Sequence, residues 1–449
     1  MTKKVAVIGA GLTGLTTAFY LLEKGIDVEV LEQSDRIGGV IQTMEKDGFL
    51  FENGPSTGVL GHPEAADLIE SLGNACQLEV ADEDAKYRWI WKGDRWHALP
   101  SGLIGGITTP LFSWYDKFRI LGEPFRKRGT DPNETLDRLV RRRMGESFLK
   151  YAVDPFILGI YSGDPEKLVV KYALPKLYNL EQKYGSFIGG SIKKAKEPKT
   201  EWDKKATREV FSMKGGLKSL INALGARIGA DRIQLNQKGL VVQQETGKYS
   251  ITNNEGVTRD YDQVISTVGG HALRELFPFL PSSQVEKVEA MPYARVIQVS
   301  VGFNKWEGIP INAFGGLIPF HENRDLLGVL FLSSFLKDRA PEGGALLSTF
   351  LGGVRKPQLV DLSDEDVLEL VEKEMKLMMG LTKWQPDLLV INRYQHAIPQ
   401  YGKESAARLS AIEMLEANYP GLLLGGNIRD GIGMADRIKQ GRKLAETIE

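Results

Sequence analysis

Cysteine is almost absent from this chain of 449 residues, which contains only Cys76. A single cysteine excludes an internal disulfide and any paired-cysteine motif for zinc or redox chemistry. The five histidines are widely scattered and show no spacing typical of metal ligands. No stretch stays apolar over the roughly 18 residues that a transmembrane helix needs, so the sequence predicts no membrane span.

An excess of charge of one sign is also lacking, because 57 lysines and arginines nearly balance 58 aspartates and glutamates. Proteins that bind nucleic acids usually carry a strong basic excess, so we expect no nucleic-acid partner. The chain opens with MTKKVAVIGAG, which leads directly into an apolar run and predicts no signal peptide. A cytoplasmic location is therefore expected, and the length predicts two or three domains.

The first 32 residues combine a glycine pattern with alternating strand and helix signals. The apolar run VAVI predicts a buried parallel strand, and a helix is predicted to follow it. Between them, Gly9 permits a tight turn, Gly11 lets a pyrophosphate approach, and Gly14 lets the helix pack closely. Glu32 ends the next predicted strand, where it can accept hydrogen bonds from ribose hydroxyls. A glycine turn without a nucleotide is the other interpretation, but strand, loop, helix and acidic residue all agree with a nucleotide site.

A second glycine element follows Glu32. Arg36, Gly38 and Gly39 form an R-x-G-G pattern, in which arginine suits phosphate recognition and paired glycines allow close backbone approach. Enzymes that bind NAD do not need this second phosphate loop. The two elements together therefore indicate FAD.

Strand patterns of the nucleotide-binding type occur in three separate parts of the chain: the N-terminus, residues 232–268 and residues 421–426. The predicted fold class is α/β (α+β, multi-domain). It comprises a Rossmann-like FAD-binding domain, an inserted mixed β-sheet substrate domain and a helical subdomain. The predicted segments are 1–80, 209–270 and 399–449 for the FAD-binding domain, 81–100 (a hairpin) and 271–398 for the substrate domain, and 101–208 for the helical subdomain.

Three local predictions can be tested directly. Residues 211–228 predict a loop followed by a helix, and the residues after Ser363 predict an amphipathic helix with Ser363 as its cap. The basic run Arg141–Arg142–Arg143 allows two interpretations. A solvated helix face is the more common one, and contact with a membrane surface is the other.

Several phrases occur in the order found in one family. HALPSG (97–102), AIPQY (397–401) and GIGMADRI (431–438) resemble the protoporphyrinogen oxidase and coproporphyrinogen III oxidase family, within the FAD-dependent amine-oxidase superfamily. The resemblance runs from residue 3 to residue 445.

The resemblance implies a set of FAD-binding residues. At Gln237, where the family often has valine, the implied contact with adenine is through the backbone amide. Cys76 lies far in sequence from the flavin-facing tail, so non-covalent FAD is expected. No residue is assigned as catalytic, because the flavin N5 would accept the hydride. The implied FAD-binding residues are Gly9, Gly11, Gly14, Glu32, Arg36, Gly39, Val40, Gly54, Pro55, Ser56, Thr57, Gln237, Thr267, Ile432, Gly433 and Met434.

Substrate residues follow from the same resemblance. Arg88 matches an arginine that pairs with a porphyrin propionate, and Phe314, Leu317 and Phe350 match apolar residues that clamp the macrocycle. From the residues alone, other interpretations stay open. Arg88 suits the surface of a strand, and the three apolar residues suit an ordinary core.

The implied reaction removes six electrons from a porphyrinogen, with oxygen as the usual acceptor, in haem biosynthesis. Protoporphyrinogen IX, which becomes protoporphyrin IX, is the first expected substrate, and coproporphyrinogen III, which becomes coproporphyrin III, is the alternative. Protoporphyrinogen IX has two vinyl groups where coproporphyrinogen III has two propionates, so a second basic contact would distinguish the two substrates. Candidates for that contact are Lys167, Lys171, Lys176 and Lys183.

Further implied partners are a peripheral contact with the inner face of the membrane and transfer of the product to the next haem-pathway enzyme. More distant interpretations are a flavin amine oxidase, a carotenoid desaturase, or a non-catalytic escort protein with an FAD fold. Amine oxidases often place an aromatic pair beside the flavin, whereas this tail has Asn427, Ile428 and Arg429. Escort proteins lose parts of the flavin loops, which are complete here.

Overall fold

The computed structural model describes residues 3–449 except for residues 86, 101–104, 106–107 and 246. Its strands are β1 (Lys4–Ile8), β2 (Asp27–Leu31), β3 (Thr43–Lys46), β4 (Phe49–Glu52), β5 (Gly58–Val59), β6 (Leu78–Val80), β7 (Arg88–Lys92), β8 (Arg95–Ala98), β9 (Val210–Met213), β10 (Ile233–Gln234), β11 (Val241–Glu245), β12 (Lys248–Thr252), β13 (Thr258–Tyr261), β14 (Gln263–Ser266), β15 (Tyr293–Phe303), β16 (Gly315–Leu317), β17 (Leu326–Leu330), β18 (Ala345–Gly352), β19 (Leu388–Pro399) and β20 (Leu422–Leu424).

Its α-helices are α1 (Leu12–Glu23), α2 (Pro63–Leu72), α3 (Trp114–Leu121), α4 (Leu136–Arg143), α5 (Glu146–Phe148), α6 (Asp154–Tyr161), α7 (Val170–Ala173), α8 (Pro175–Tyr184), α9 (Phe187–Ala195), α10 (Glu201–Lys204), α11 (Lys218–Ile228), α12 (Leu273–Leu276), α13 (Ser282–Glu289), α14 (Leu332–Phe335), α15 (Asp364–Met379), α16 (Ser405–Asn418) and α17 (Met434–Glu446).

Five parallel strands form the first sheet, in the order β10–β2–β1–β14–β20. Both of its faces are buried. Val5 and Val7 lie in an apolar core with α1, α2, α11 and α17, whereas Ala6 and Ile8 lie in a second core on the other face. A strand that is covered on both faces is apolar throughout, which explains the run VAVI. The strands come from three separate parts of the chain, as predicted.

The second sheet has seven strands in the order β19–β15–β18–β17–β16–β7–β8. Its strands pair antiparallel, except that β16 and β7 are parallel. One face packs against α15, whose Val367, Val371 and Met375 are buried with Ile297 and Val299 of β15. The two sheets together confirm the predicted fold class, whereas the predicted domain boundaries stay a prediction.

Helix α15 begins as predicted, because the Ser363 hydroxyl accepts a hydrogen bond from the Asp366 N–H at 3.1 Å. The prediction for residues 211–228 was partly wrong. Helix α11 is present, but residues 211–213 belong to β9, which pairs with β5 and β6. Phe211 and Met213 are fully buried in that position. The strand depends on partners more than 100 residues earlier in the chain, so the local sequence could not indicate it.

Only Arg141 of the basic run of α4 fits the interpretation as a solvated helix face. Arg143 is completely buried and forms ion pairs with the equally buried Glu123 and Glu181. Arg142 bonds Glu181 at 2.9 Å and Glu134 at 2.8 Å. Arg142 and Arg143 therefore tie helices together, whereas Arg141 is exposed and pairs with Asp137 and Glu146. In the parts of the chain that the structure describes, no helix combines the length and the apolar character needed to cross a bilayer.

We predict that Glu123→Ala destabilises the protein by about 3–5 kcal/mol, because it leaves a buried guanidinium without one of its two carboxylates. It also removes the acceptor for the N–H groups of Phe187 and Ile188. Thermal unfolding followed by circular dichroism measures the change. The control is Glu307→Ala, which breaks an exposed pair with Lys305 and should leave the midpoint unchanged. Equal midpoints for both variants would contradict the structural role of Glu123.

Candidate active site

The turn between β1 and α1 brings the chain into very close contact with itself. Gly9 has a φ of +100°, and a Cβ on Gly14 would lie 1.9 Å from the Gly9 carbonyl oxygen. Only glycine fits this approach of helix to turn. A Cβ on Gly11, in contrast, would meet no atom within 4 Å. The middle glycine therefore borders open space at the first turn of α1, where N–H groups can receive an anion.

Glu32 follows β2 and is buried beside this turn. Its carboxylate accepts the Ala10 N–H at 2.7 Å and the Ser34 N–H at 2.9 Å. The backbone N–H of Gln237 donates to the Glu32 carbonyl at 2.8 Å. That N–H is therefore already engaged, and a contact of Gln237 with adenine stays a prediction.

The second glycine element lies directly against the first. The Gly38 N–H donates to the Ala10 carbonyl at 2.8 Å, and a Cβ on Gly39 would lie 3.3 Å from the Gly11 Cα. The Arg36 guanidinium donates to the Gly39 carbonyl at 2.7 Å, which closes its own loop. Val40, which follows, is 64% exposed.

The segment from Gly54 to Thr57 follows strand β4 and faces the seven-stranded sheet. The Gly54 N–H donates to the Gln298 side chain on β15 at 3.1 Å, and Asn53 accepts from Asn392 on β19 at 2.8 Å. Pro55 and Thr57 are half-buried. The Ser56 hydroxyl is buried and has no hydrogen-bond partner among the described residues. A buried hydroxyl without a partner is unfavourable, which points to a group that this structure does not contain.

The carboxyl ends of β1, β14 and β20 meet beside the glycine turn. The Thr267 hydroxyl, just after β14, donates towards the Ile8 and Gly9 carbonyls at 3.1 and 3.2 Å. A Cβ on Gly426, just after β20, would lie 2.8 Å from the Thr267 carbonyl oxygen. This edge is where open parallel sheets bind their ligands.

Hydrogen bonds from two buried side chains hold the turn between β20 and α17 in place. The Tyr401 hydroxyl lies 2.9 Å from the carbonyl oxygens of both Asn427 and Gly431 and donates to this pair. The buried Arg408 donates to the Ile428 carbonyl at 2.8 Å. Burial lowers the pKa of the Arg408 guanidinium. These contacts fix the course of the chain up to the start of α17.

Helix α17 begins at Met434, as the sequence indicated. The Gly433 N–H is taken by the Asp436 carboxylate at 3.0 Å. Ile432 is half-buried and packs against the second apolar core, and Met434 is buried in the first. The three predicted tail residues therefore adjoin the edge formed by β1, β14 and β20.

Strand pairing brings two predicted substrate residues into one row across the seven-stranded sheet. Gln298 pairs with Phe350, Phe350 with Gly328, and Gly328 with Leu317. Residues opposite each other on neighbouring strands point to the same face. Phe350 and Leu317 therefore share the face on which Gln298 contacts Gly54.

Arg88 lies on the same face, in the next row. It pairs with Gly315, two residues before Leu317 on β16. Its guanidinium carbon lies 5.1 Å from the centre of the Phe314 ring, which stacks on Phe335 at 4.3 Å. Arg88 is exposed, although partial desolvation of its guanidinium lowers its pKa. No carboxylate of the described side chains lies within 4.0 Å of it, so its charge is available to a ligand.

Helix α6 covers this face. A Cβ on Gly159 would lie 2.5 Å from a methyl group of Leu317. Phe156 and Ile160 lie beside Gly159 on the same side of the helix, and both are exposed. Helix α6 therefore packs against Leu317 at Gly159 and carries two exposed apolar side chains beside that contact.

The sequence did not predict a functional role for several of these residues. Phe156 and Ile160 look like ordinary core residues in a predominantly apolar segment. Gln298 left a weak signal, as a glutamine between the apolar Ile297 and Val299. Tyr401 stood inside a phrase that marked the family but had no assigned role.

The residues present fit a flavin cofactor. The open space at Gly11, the unpartnered Ser56 hydroxyl and the exposed apolar Val40 lie on segments that converge on one edge of the parallel sheet. All three features would be explained by a bound dinucleotide with an apolar ring.

Comparison with known proteins agrees with this geometry. Residues 12–448 match the family model described as flavin containing amine oxidoreductase. The chain is 30% identical to protoporphyrinogen oxidase 1 of Arabidopsis thaliana, covering 97% of this chain and 86% of that one. It is 28% identical to coproporphyrinogen III oxidase of Bacillus subtilis, covering 98% and 96%.

A solved structure from Exiguobacterium sp. 255-15 has the same fold, with a TM-score of 0.83, 24% identity and coverage of 100% and 99%. The resemblance noted in the sequence is confirmed. The chain belongs to the flavin-containing amine oxidoreductase family, and it is a flavin-dependent oxidoreductase.

Proposed function

We propose that this chain is an FAD-dependent porphyrinogen oxidase of haem biosynthesis. Protoporphyrinogen IX, oxidised to protoporphyrin IX, is the first candidate substrate, and coproporphyrinogen III, oxidised to coproporphyrin III, is the second. Oxygen is the proposed electron acceptor. The relatives named above support both candidates.

One observation carries the proposal: a single face of the seven-stranded sheet holds Gln298, Phe350 and Leu317 in one row and Arg88 in the next. Gln298 joins this face to the segment proposed to contact the flavin. An apolar, carboxylate-bearing macrocycle would find apolar contacts, a free cation and the cofactor on the same side.

The chain's own residues would orient the macrocycle. Arg88 would bind a propionate through charged hydrogen bonds. Leu317, Phe350, Phe156 and Ile160 would contact the pyrrole rings and exclude water from them. A bound flavin would supply the acceptor for hydride from the macrocycle, and three rounds with three molecules of oxygen would account for six electrons. Pyrrole protons would pass to solvent, since no acid–base pair is assigned.

We predict that the flavin-loaded protein, supplied in air with each porphyrinogen, produces porphyrin fluorescence faster than a protein-free blank. Arg88→Met should raise KM about 10-fold or more with a smaller effect on kcat, because a carboxylate contact binds substrate and transition state alike. Arg95→Met is the matched control, since Arg95 is an exposed arginine of the same hairpin. If neither porphyrinogen gives a flavin-dependent gain, the proposed function is wrong.

We also propose that FAD is held without a covalent bond. Acid precipitation should therefore release all the yellow colour from the protein. Tyr401→Phe should weaken FAD binding about 10-fold, since it leaves the turn before α17 with two unpaired carbonyls. The control is Tyr161→Phe, whose hydroxyl bonds Ala173 instead. Fluorescence titration of FAD against the apoprotein measures both constants, and equal constants would contradict the role of Tyr401.

A peripheral membrane contact has its own supporting observation. Trp114, Tyr115, Phe118, Leu121 and Phe125 are exposed by 63–91% on and just after α3. Exposed apolar groups of this density mark an interaction surface. Nearby arginines bond backbone carbonyls, as Arg119 does with Arg141 and Arg126 with Arg119, so they keep a positive charge that suits anionic lipid.

We predict that the protein floats with vesicles containing phosphatidylglycerol and less with vesicles of phosphatidylcholine alone. Replacing both Phe118 and Phe125 by serine should abolish flotation, because it removes buried apolar contact with the lipid. The control is Leu377→Ser, an isolated exposed leucine on α15. Flotation by the double variant at wild-type level would refute the contact.

A further inference from the structure

The structure separates the four lysines that are candidates for a second basic contact. Lys167 is exposed just before α7. Lys183 forms an ion pair with Glu197 at 2.6 Å. Lys171 lies over the ring of Tyr172 at 5.4 Å. Lys176, in the first turn of α8, instead donates to the Gly61 carbonyl at 3.2 Å.

Basic residues from several elements lie around residues 60–62. The Arg208 N–H, just before β9, donates to the Leu60 carbonyl at 2.9 Å. His62 bonds the Asp436 carboxylate at 2.9 Å. Lys439 follows Asp436 by three residues on α17, so both share one side of that helix. Lys176, Arg208 and Lys439, from three separate elements, therefore lie around one short loop.

The positive charges of this cluster are offset only in part, by Asp436. Within the described ranges, no carboxylate lies within 4.0 Å of Lys176, Arg208 or Lys439. The nearby Asp436 is already bonded to His62 and to the Gly433 N–H. Like charges that approach one another raise the free energy of a site unless an anion joins them.

The electrostatic environment of Lys176 supports the grouping. Burial lowers the pKa of its ammonium group, Asp436 opposes that shift, and the charges of Arg208, Lys439 and Lys194 add to it. A bound anion would offset the repulsion among these charges and stabilise the protonated form of Lys176.

Arg208 also has a strained backbone, with a φ of +68°. That conformation is uncommon for a residue with a Cβ, and it persists only where the surroundings impose it. The two hydrogen bonds that pair residues 208 and 209 with Leu60 hold it in place.

The cluster adjoins the proposed flavin site on two sides. Residues 60–62 follow the segment from Gly54 to Thr57 after the short strand β5. Asp436 and Lys439 lie on the first two turns of α17, directly after the turn that Tyr401 and Arg408 hold. Arg88, in contrast, belongs to the seven-stranded sheet.

We infer that Lys176, Arg208 and Lys439 form a second anion-binding site, which takes a carboxylate group of the tetrapyrrole substrate. The inference rests on the proposed function. It gives coproporphyrinogen III a contact that protoporphyrinogen IX lacks, since vinyl groups replace two of its four propionates. Lysine and arginine both bind carboxylates by charged hydrogen bonds.

The test is equilibrium binding of the two oxidised macrocycles, coproporphyrin III and protoporphyrin IX, to the flavin-loaded protein. Lys176→Met should weaken coproporphyrin III binding about 10-fold, equal to about 1.4 kcal/mol, and protoporphyrin IX binding less than about threefold. Lys176→Arg should restore binding, because it keeps the charge. Lys171→Met, which removes an exposed lysine nearby, should change neither constant.

Arg208→Met should show the same selective loss of coproporphyrin III binding. This second variant allows the test even if Lys176→Met folds poorly. Retained flavin and an unchanged thermal midpoint establish folding in each variant. Equal losses for both macrocycles, or an equal loss in Lys171→Met, would overturn the inference. A third result would overturn it too. Inorganic phosphate would bind the wild-type protein but not Lys176→Met, while Lys176→Met bound both porphyrins as tightly as the wild type, so the site would serve a free phosphate.

The two failures are distinguishable. If the proposed function is wrong, the wild-type protein gains no fluorescence from either porphyrinogen and binds neither porphyrin. If only the second anion site is wrong, the wild-type protein binds and oxidises a porphyrinogen, while Lys176→Met retains the wild-type ratio of the two binding constants.

Discussion

The candidate site depends on how closely the chain approaches itself where β1, β14 and β20 end. A Cβ on Gly14 would lie 1.9 Å from the Gly9 carbonyl oxygen, and a Cβ on Gly426 would lie 2.8 Å from the Thr267 carbonyl oxygen, so neither position has room for a side chain. These contacts bring the start of α1, the turn after β14 and the turn before α17 to one edge of the sheet. A Cβ at Gly14 or Gly426 would push these segments apart and open the edge at which the cofactor is proposed to bind.

The second constraint is the connection between the two sheets. Gln298 lies on a strand of the seven-stranded sheet, yet its side-chain oxygen accepts the Gly54 N–H, and its side-chain nitrogen donates to the Glu52 carbonyl and the Ser348 hydroxyl. A buried amide with all these partners fixes one relative position. Because Phe350 lies opposite Gln298, the same contact also sets where the apolar face stands relative to the flavin-contacting segment.

Local sequence patterns predicted part of the fold and part of the candidate site. The glycine spacing, the strands around it, the cap at Ser363 and the start of α17 are each determined within a few residues, so the sequence indicated them correctly. Strand β9 and the contact of Gln298 with Gly54 depend on residues more than 100 positions away. The hydrogen bonds of Tyr401 depend on the path of the turn before α17, which local sequence does not determine. Phe350 and Leu317 were found by resemblance, and only the register of four strands brings them to one face.

Basic residues show why composition alone misleads. Arg143 belongs to a run of three consecutive arginines, yet it is buried between two carboxylates and serves the packing of helices. Arg88 and Lys176 stand apart from such runs, and neither has a carboxylate within 4.0 Å in the part of the chain that the structure describes. A cation already bonded to a carboxylate has little attraction left for a ligand, whereas an unpaired, partly desolvated cation still gains from binding one. The absence of an internal counter-charge, more than the density of basic residues, therefore identifies the side chains available to an anionic substrate.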